Sequence, residues 1–191
     1  MATEHDTITD PYLREPKGAA AASAGTVYVS DGAASGAWEH TLMSDHASMV
    51  ITNNATATST TAAADSTLNT DSDYTKITAG WALTHSAGIT FNVDELVVAV
   101  TGDYKIDFWG TLKIPTNNNF VGVKYAINDT TPYSTQKIKA QAATANDYRN
   151  ISASAMVSLT AGDTISVYAA STSSDSLVFE EAGVAVLLVH E

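Results

Sequence analysis

The sequence predicts an all-β sandwich, and three observations support that prediction. Short segments with strand character follow one another from about Tyr74 onward, separated by turn signals. Residues 104–114 alternate apolar and polar side chains, as expected for a strand with one buried face. Residues 183–189 are instead apolar at consecutive positions, which indicates that both faces of that strand are covered. Since no segment carries a convincing helical pattern, a β-sandwich of the jelly-roll type is the expected fold.

The first 40 residues have the composition of an extended N-terminal arm. Residues 26–30 have strand character and precede the turn signal Asp31-Gly32, and Trp38 is an isolated large aromatic residue. The arm offers too few large apolar side chains to form a core, so it needs a surface to lie on. Three alternatives stay open: the arm docks on a partner by strand addition or an extended grip, packs on its own globular domain, or is disordered.

Residues 41–73 form a connection rich in Thr, Ala, Asn and Ser, and between residues 52 and 73 almost nothing is available to bury. An exposed loop or linker is expected there, with at most a short strand at residues 49–51. The jelly-roll domain is expected over residues 74–191. Its predicted strands are residues 74–81, 89–93, 95–101, 104–114, 120–127, 136–140, 148–159, 164–169 and 177–179 leading into 183–189.

The alternation in residues 104–114 assigns side chains to faces. Tyr104, Ile106 and Phe108 share one face, which we expect to be the core, and Trp109 lies on the other. Trp109 should therefore meet the edge of the second sheet or a neighbouring molecule. The apolar run of residues 183–189 points the same way, because in a small sandwich the second cover of such a strand is expected to be another copy of the chain.

Composition excludes several classes of partner. The net charge is −12 and only nine Lys and Arg residues occur, which argues against binding to a nucleic-acid backbone. No stretch approaches the ~20 apolar residues that span a bilayer, and the first residues lack a secretory signal, so we expect no membrane partner. The absence of cysteine removes disulfides and thiolate zinc sites.

No pattern of catalytic or metal-ligating residues stands out. The five histidines are scattered without the spacing of a zinc site, and Asp71-Ser-Asp73 lacks the other ligands of a calcium loop, so a solvated turn is expected there. No Gly-x-Ser-x-Gly elbow occurs, and the paired carboxylates are adjacent residues that point to opposite faces of a strand. The sequence therefore predicts no catalytic residue, no metal site and no cofactor, and a hydrolase is only a remote alternative.

Three features of the C-terminal half share an order and spacing. They are the Gly102-Asp-Tyr104 entry into an aromatic strand ending near Phe108, the Ala161-Gly-Asp163 turn before Ile165-Ser-Val167, and the apolar residues 183–189. Together they resemble the tumour-necrosis-factor and complement-type trimeric jelly roll over roughly the last hundred residues. The resemblance implies a homotrimer in which the inner sheets and the last strand pack around the axis. It assigns four residues to the trimer interface: Trp109, Val184, Val186 and Leu188.

The arm carries a second resemblance. The segment Ile8-Thr-Asp-Pro-Tyr-Leu-Arg-Glu-Pro-Lys-Gly18, followed by an alanine stretch and by residues 27–38, resembles the leader of tailed-bacteriophage virion proteins that decorate the head or form short fibres. The resemblance implies that residues 1–40 anchor the protein to a capsid. The implied anchoring residues are Tyr12, Leu13, Glu15, Pro16, Lys17, Gly18, Val27, Tyr28 and Trp38.

Taken together, the two resemblances imply a virion structural protein. It would be a capsid decoration, or cement, protein made in the host cytoplasm and located on the capsid surface, with the major capsid protein as its partner. The alternative is a tail- or head-fibre protein that recognises a glycan or protein on the host surface. In that case exposed aromatic residues such as Tyr133 or Tyr148 would stack on carbohydrate, although the preferred interpretation places both in the core or at an interface.

Overall fold

The computed structural model describes residues 26–30, 36–40, 45–52, 57–60, 62–63, 66–78, 80–129, 131–132 and 137–190. The chain divides into two compact units, residues 1–43 and residues 44–191. In the first unit, β1 (Thr26–Ser30) and β2 (Gly36–His40) pair as an antiparallel hairpin in which Tyr28 lies opposite Trp38.

The second unit is a sandwich of two sheets, one of seven strands and one of six. Its strands are β3 (His46–Thr52), β4 (Ala57–Ser59), β5 (Thr75–Lys76), β6 (Trp81–Ala87), β7 (Ile89–Asn92), β8 (Glu95–Val98), β9 (Gly102–Ile114), β10 (Phe120–Ile127), β11 (Thr131–Pro132), β12 (Ile138–Gln141), β13 (Asp147–Leu159), β14 (Thr164–Ser171) and β15 (Ser176–His190). The only helical turn in the described part of this unit is a 3₁₀ turn at Asp71–Asp73.

We call the six-stranded sheet the front sheet and the seven-stranded sheet the back sheet. The front sheet has the order β13-β9-β15-β3-β6, and β4 also pairs with β15. The back sheet has the order β11-β10-β14-β8-β7, with β12 beside β10 and β5 beside β14. All pairs between these strands are antiparallel, and the crossovers between the sheets give the jelly-roll sandwich that the sequence predicted.

The core lies between the two sheets, and the predicted alternation in β9 is confirmed. Tyr104, Ile106 and Phe108 are buried, while Trp109 lies on the opposite face. Both sheets contribute large, fully buried side chains, and burying each stabilises the fold by about 1.5–3 kcal/mol. These side chains include Met49, Ile51, Leu96, Ile106, Leu112, Ile114, Ile165, Leu177 and Phe179.

The sandwich begins earlier in the chain than the predicted residue 74. Strand β3 lies in the middle of the front sheet, pairing with β15 from His46 opposite Leu187 to Thr52 opposite Glu181. Its alternate residues, such as Met49, are buried in the core. The short strand that the sequence allowed within the connection is therefore an integral strand of the domain, and the connection cannot extend unbroken from residue 41 to 73.

The described parts of residues 60–74, which we call the strap, lie along the outer face of the back sheet. The amide of Ala63 donates a hydrogen bond to the carbonyl of Ser171 (2.8 Å). Leu68 is fully buried and packs with Tyr74 and Ala170 in a small second cluster. Gly122 makes room for this cluster, because a Cβ at that position would lie 2.5 Å from the Tyr74 hydroxyl oxygen. The expectation of an exposed loop with nothing to bury is thus wrong for the described part of the strap.

Lysines of the back sheet hold the strap in place. The Lys124 ammonium is almost fully buried, bonds Asp71 Oδ1 (2.7 Å) and lies 4.5 Å from the centre of the Tyr74 ring. Lys137 donates to Asn69 Oδ1 (2.6 Å), and Lys139 donates to a carbonyl of the strap. Burial, together with the negative charges of the 3₁₀ turn, raises the pKa of Tyr74 and keeps the phenol neutral.

Candidate interaction surface

The outer face of the front sheet carries Trp109, one of the four predicted interface residues. Antiparallel register aligns residues in rows across the strands, and directly opposite residues share a face. One row contains His46 of β3, Leu187 of β15, Lys105 of β9 and Met156 of β13. Two further rows follow along the strands: Ser48, Ala185, Asp107 and Ser154, then Val50, Gly183, Trp109 and Ser152.

The predicted interface residues on β15 lie on the wrong face of that strand. Val184 lies opposite Phe108, which faces the core, so Val184, Val186 and Leu188 also point inward and are buried within one chain. They can add no area to a contact with another subunit. The unbroken apolar run conceals which alternate positions face outward, because every residue in it is compatible with burial.

Leu187 and Val189 of β15 and Met156 of β13 are exposed apolar residues near one end of this face, which we call the apolar end; Lys105 of β9 lies between Leu187 and Met156 in their row. The exposed fractions of Met156, Leu187 and Val189 are 56, 42 and 55%. The apolar pattern of the sequence did not mark these residues as surface positions. The pairing of a large residue with a small one, Trp109 opposite Gly183, is a signal that could have fixed the outward face of the strand.

The apolar end is bordered by polar groups. Lys105 and Asp107 form an ion pair on the same face (2.8 Å). Burial opposes ionisation of Asp107, but hydrogen bonds from Lys105 and Ser154 lower its pKa below the ordinary value. This pair is largely solvated, so it contributes little to stability as long as the face is open to water.

Trp109, the remaining predicted interface residue, stands at the other end of the same face. Four residues separate it from Lys105 along β9, which corresponds to ~13 Å. Its indole lies over Gly183, where a Cβ would fall within the ring. It lines a surface cavity of about 400 Å³ with Thr111, Asn150, Ser152 and Glu181, which we call the polar end.

A serine, an aspartate and a histidine meet at the rim of the sheet. Asp103 lies opposite His190 on one side and Ser158 on the other, and these residues line a cavity of about 270 Å³. Ser158 Oγ donates directly to Asp103 Oδ1 (2.5 Å). In a serine hydrolase the histidine accepts the hydroxyl proton and stands between the other two groups, so this order does not activate the serine.

The back sheet carries a cluster of charged groups at one end. The Lys76 ammonium contacts Glu95 (2.5 Å), Asp129 (2.7 Å) and Asp94 (3.4 Å). Burial lowers the pKa of Lys76, but hydrogen bonds to Asp129 and Glu95 outweigh it and place the pKa above its usual value. For Asp129 the effects have the opposite sign: burial raises the pKa of the carboxyl group, but hydrogen bonds from Lys76 and Ser166 outweigh burial and hold that pKa below its usual value. The ammonium already occupies the position that a cation would take.

Several predicted residues are outside the described part of the chain. The anchoring residues Tyr12, Leu13, Glu15, Pro16, Lys17 and Gly18 are among them, as is Tyr133. Val27, Tyr28 and Trp38 lie in the β1–β2 hairpin, where only the backbone is described. Tyr148 is on the outer face of β13 with an exposed fraction of 49%, so within a single chain it is not a core residue.

Two kinds of functional feature are absent from the described residues. No group of three or more His, Cys, Asp or Glu side chains in these residues is arranged to hold a metal ion. In the same residues, no helix combines the length and apolar character needed to cross a membrane.

Comparison with known proteins identifies the fold. No family model matches the sequence, and no curated protein matches it. Three solved structures match over 76% of this chain. Murine APRIL at pH 5.0 matches over 99% of its own chain with 14% sequence identity and a TM-score of 0.50, and the globular domain of zebrafish complement 1qA matches over 97% with 13% identity and a TM-score of 0.52. Eiger TNF from S. frugiperda matches over 93% of its chain with 12% identity and a TM-score of 0.50. At this level of identity the likeness concerns the fold alone, and the chain has the jelly roll of tumour-necrosis-factor-like and complement-type domains.

Proposed function

We propose that this chain is a non-enzymatic structural protein of a virus particle, a homotrimer that decorates the outside of the capsid. The observation that carries the proposal is the apolar end of the front sheet. Three large apolar side chains are exposed near one end of a single sheet face, and exposed apolar area concentrated on one face favours association with another protein. A second copy of the chain is the partner that the trimeric jelly-roll resemblance implies.

The shape of the front sheet favours close approach of another copy. In the row between the apolar end and Trp109, three of the four outward positions are small, namely Ser48, Ala185 and Ser154, and the fourth is Asp107. Small side chains on a sheet leave a flat surface, and an interface needs ~800 Å² of buried surface per partner to be stable. In a closed ring of three subunits every copy buries the same two surfaces. Most soluble homo-oligomers have closed symmetry of this kind.

The arm supplies the attachment to the particle. Residues 1–43 form a compact unit of their own, and the leader within them resembles those of phage head-decoration proteins. The proposed partner is the major capsid protein, and the proposed location is the capsid surface. Three arms on one trimer bind with high effective concentration, so modest affinity per arm gives durable attachment.

Deletion of residues 1–40 tests this assignment. The truncated chain is expected to remain a trimer and to keep the unfolding transition of the sandwich. It should no longer bind to virus particles from which the native protein has been removed. The full-length Leu187→Ala variant is the matched control, because it keeps the arm but weakens the trimer and should bind particles with reduced avidity. Binding of the truncated chain at the wild-type level would refute the anchor.

A receptor-binding fibre protein is the second candidate. It is favoured by two exposed aromatic side chains on the outer face of the front sheet, Trp109 and Tyr148. Adsorption of the full-length protein to host cells separates the two functions. A cement protein shows no saturable binding to cells, whereas a receptor-binding protein shows binding that soluble glycan or host protein competes away.

A further inference from the structure

The cavity at the polar end of the front sheet has a composition unlike that of a subunit interface. Trp109 is the one aromatic residue in its lining, Thr111, Asn150, Ser152 and Glu181 are the polar ones, and Gly110 and Ile151 complete it. The centres of protein interfaces are depleted of charged groups. Ligand sites instead combine an apolar wall with a few convergent polar groups, which is the arrangement here.

Trp109 is held as a flat platform. Its indole lies over the backbone of Gly183, where there is no room for a Cβ, and 43% of the side chain stays exposed. Because one ring face is supported and the residue is still open to solvent, the indole offers a fixed apolar surface at small entropic cost. A planar patch of this kind suits the apolar C–H face of a sugar ring.

The groups around the indole suit a ligand with many hydroxyls. Thr111 Oγ1 donates to Asn150 Oδ1 (3.0 Å), a bond that orients the amide. The amide can donate, the Glu181 carboxylate can accept, and the Ser152 hydroxyl can do both. A polyhydroxylated ligand requires such a mixture of donors and acceptors within hydrogen-bond reach of one apolar wall.

Charge favours a neutral ligand over an anionic one. The Glu181 carboxylate lines the cavity and would repel an anion. The adjacent Glu180 carboxylate accepts a hydrogen bond from the Tyr148 hydroxyl, which raises the pKa of that phenol. The neighbouring cation, Lys113, lies 5.9 Å from the centre of the Tyr148 ring. Tyr148 stands two residues from Asn150 on the same face of β13, ~7 Å along the strand, and extends the site with a second exposed aromatic ring.

We propose that the polar end binds a neutral oligosaccharide, with one sugar ring stacked on Trp109 and the chain continuing toward Tyr148. The inference deepens the second candidate function by naming its site and ligand class. It rests on a subunit interface at the apolar end, ~13 Å away along the strands, that leaves the polar end open. The ligand is chosen by the chemistry of the lining, so charged glycans should bind less well.

The test is a binding measurement on the full-length protein. The probes are a printed array of neutral oligosaccharides (gluco-, manno- and chito-oligomers of about four to six sugars) and sialylated counterparts, followed by solution titration with the best probe. Wild type is expected to bind a neutral oligomer and to prefer it over the sialylated set. Trp109→Ala and Gly183→Ala should each weaken binding about tenfold or more, the second because the new Cβ displaces the indole.

Met156→Ser is the matched control, since Met156 is an exposed residue of the same sheet face at the apolar end. The Met156→Ser variant should weaken self-association and leave the oligosaccharide affinity in solution unchanged. The trimer proposal and the oligosaccharide proposal are therefore tested by separate measurements. Unfolding curves establish that each variant is folded. No binding by wild type, preference for sialylated probes, binding indifferent to Trp109→Ala, or dissociation of the trimer by Trp109→Ala would each overturn the inference.

Discussion

Replacing Val184 and Leu187 by alanine in separate variants distinguishes the two faces of β15. Val184 is fully buried within one chain. Its truncation removes two buried carbon groups at ~0.8 kcal/mol each and leaves a small cavity, so the free energy of unfolding should fall by about 2 kcal/mol. For a domain of this size, that loss lowers Tm by about 4–8 °C.

Leu187 should behave differently because its exposed fraction is 42%. Complete burial of a leucine is worth about 1.5–3 kcal/mol, so covering the exposed part contributes about 1 kcal/mol per copy and about 3 kcal/mol per trimer. Truncation is then expected to raise the trimer dissociation constant by about 100-fold. The Tm of the dissociated chain should change little.

Sedimentation velocity over a dilution series, combined with thermal unfolding at each concentration, measures both effects. Leu83→Ala is the matched control, since Leu83 has a similar exposed fraction (43%) but lies on the edge strand β6. It should leave the trimer dissociation constant unchanged and lower Tm by less than Val184→Ala does, because only part of its side chain is buried. If Leu187→Ala sediments as wild type at every concentration, the outer face is not the interface; if Val184→Ala changes the mass without lowering Tm, the assignment of the two faces is wrong.

Three further perturbations test the strap and the charged groups. Gly122→Ala places a Cβ against the Tyr74 hydroxyl and should cost about 2 kcal/mol of stability with faster amide exchange in the strap; unchanged exchange would contradict the packing. Asp71→Asn leaves the buried Lys124 ammonium without its anion and should cost about 2 kcal/mol in denaturant unfolding, whereas an equal stability would mean that the pair is dispensable. The pKa of Asp129 is lower in the folded chain than in the unfolded chain. Its carboxylate therefore stabilises the fold fully above about pH 4, and this stabilisation decreases as the pH falls below that value. The stability gap between wild type and Asp129→Asn, measured by urea titration, should therefore narrow below that pH; a constant gap would contradict this.

Local pattern was sufficient where one strand face meets the core and the other meets water. In β9 the alternation of Tyr104, Ile106 and Phe108 with polar neighbours predicted both the strand and its inward face. The turn at Ala161-Gly-Asp163 was equally readable, because Gly162 adopts a positive φ of 93° there. In both places the physical constraint is local to a few residues.

Where the constraint comes from distant residues, the sequence was less informative. The unbroken apolar run in β15 gave no basis for choosing Leu187 over Val184 as the outward residue, since the choice is fixed by pairing with β9 and β3. Strand β3 is short and lies among polar segments, yet its partner is more than a hundred residues away. Leu68 is an isolated apolar residue whose burial depends on space left by Gly122.

The position of β15 has a consequence for how the protein is made. This strand is synthesised after every other described strand, yet it lies at the centre of the front sheet and pairs with β3, β4 and β9. On the ribosome, β3 and β9 therefore emerge with their mutual neighbour missing and expose unpaired strand edges until β15 itself has been synthesised. A nonsense mutation that removes β15 should consequently yield an aggregating polypeptide rather than a shortened working domain.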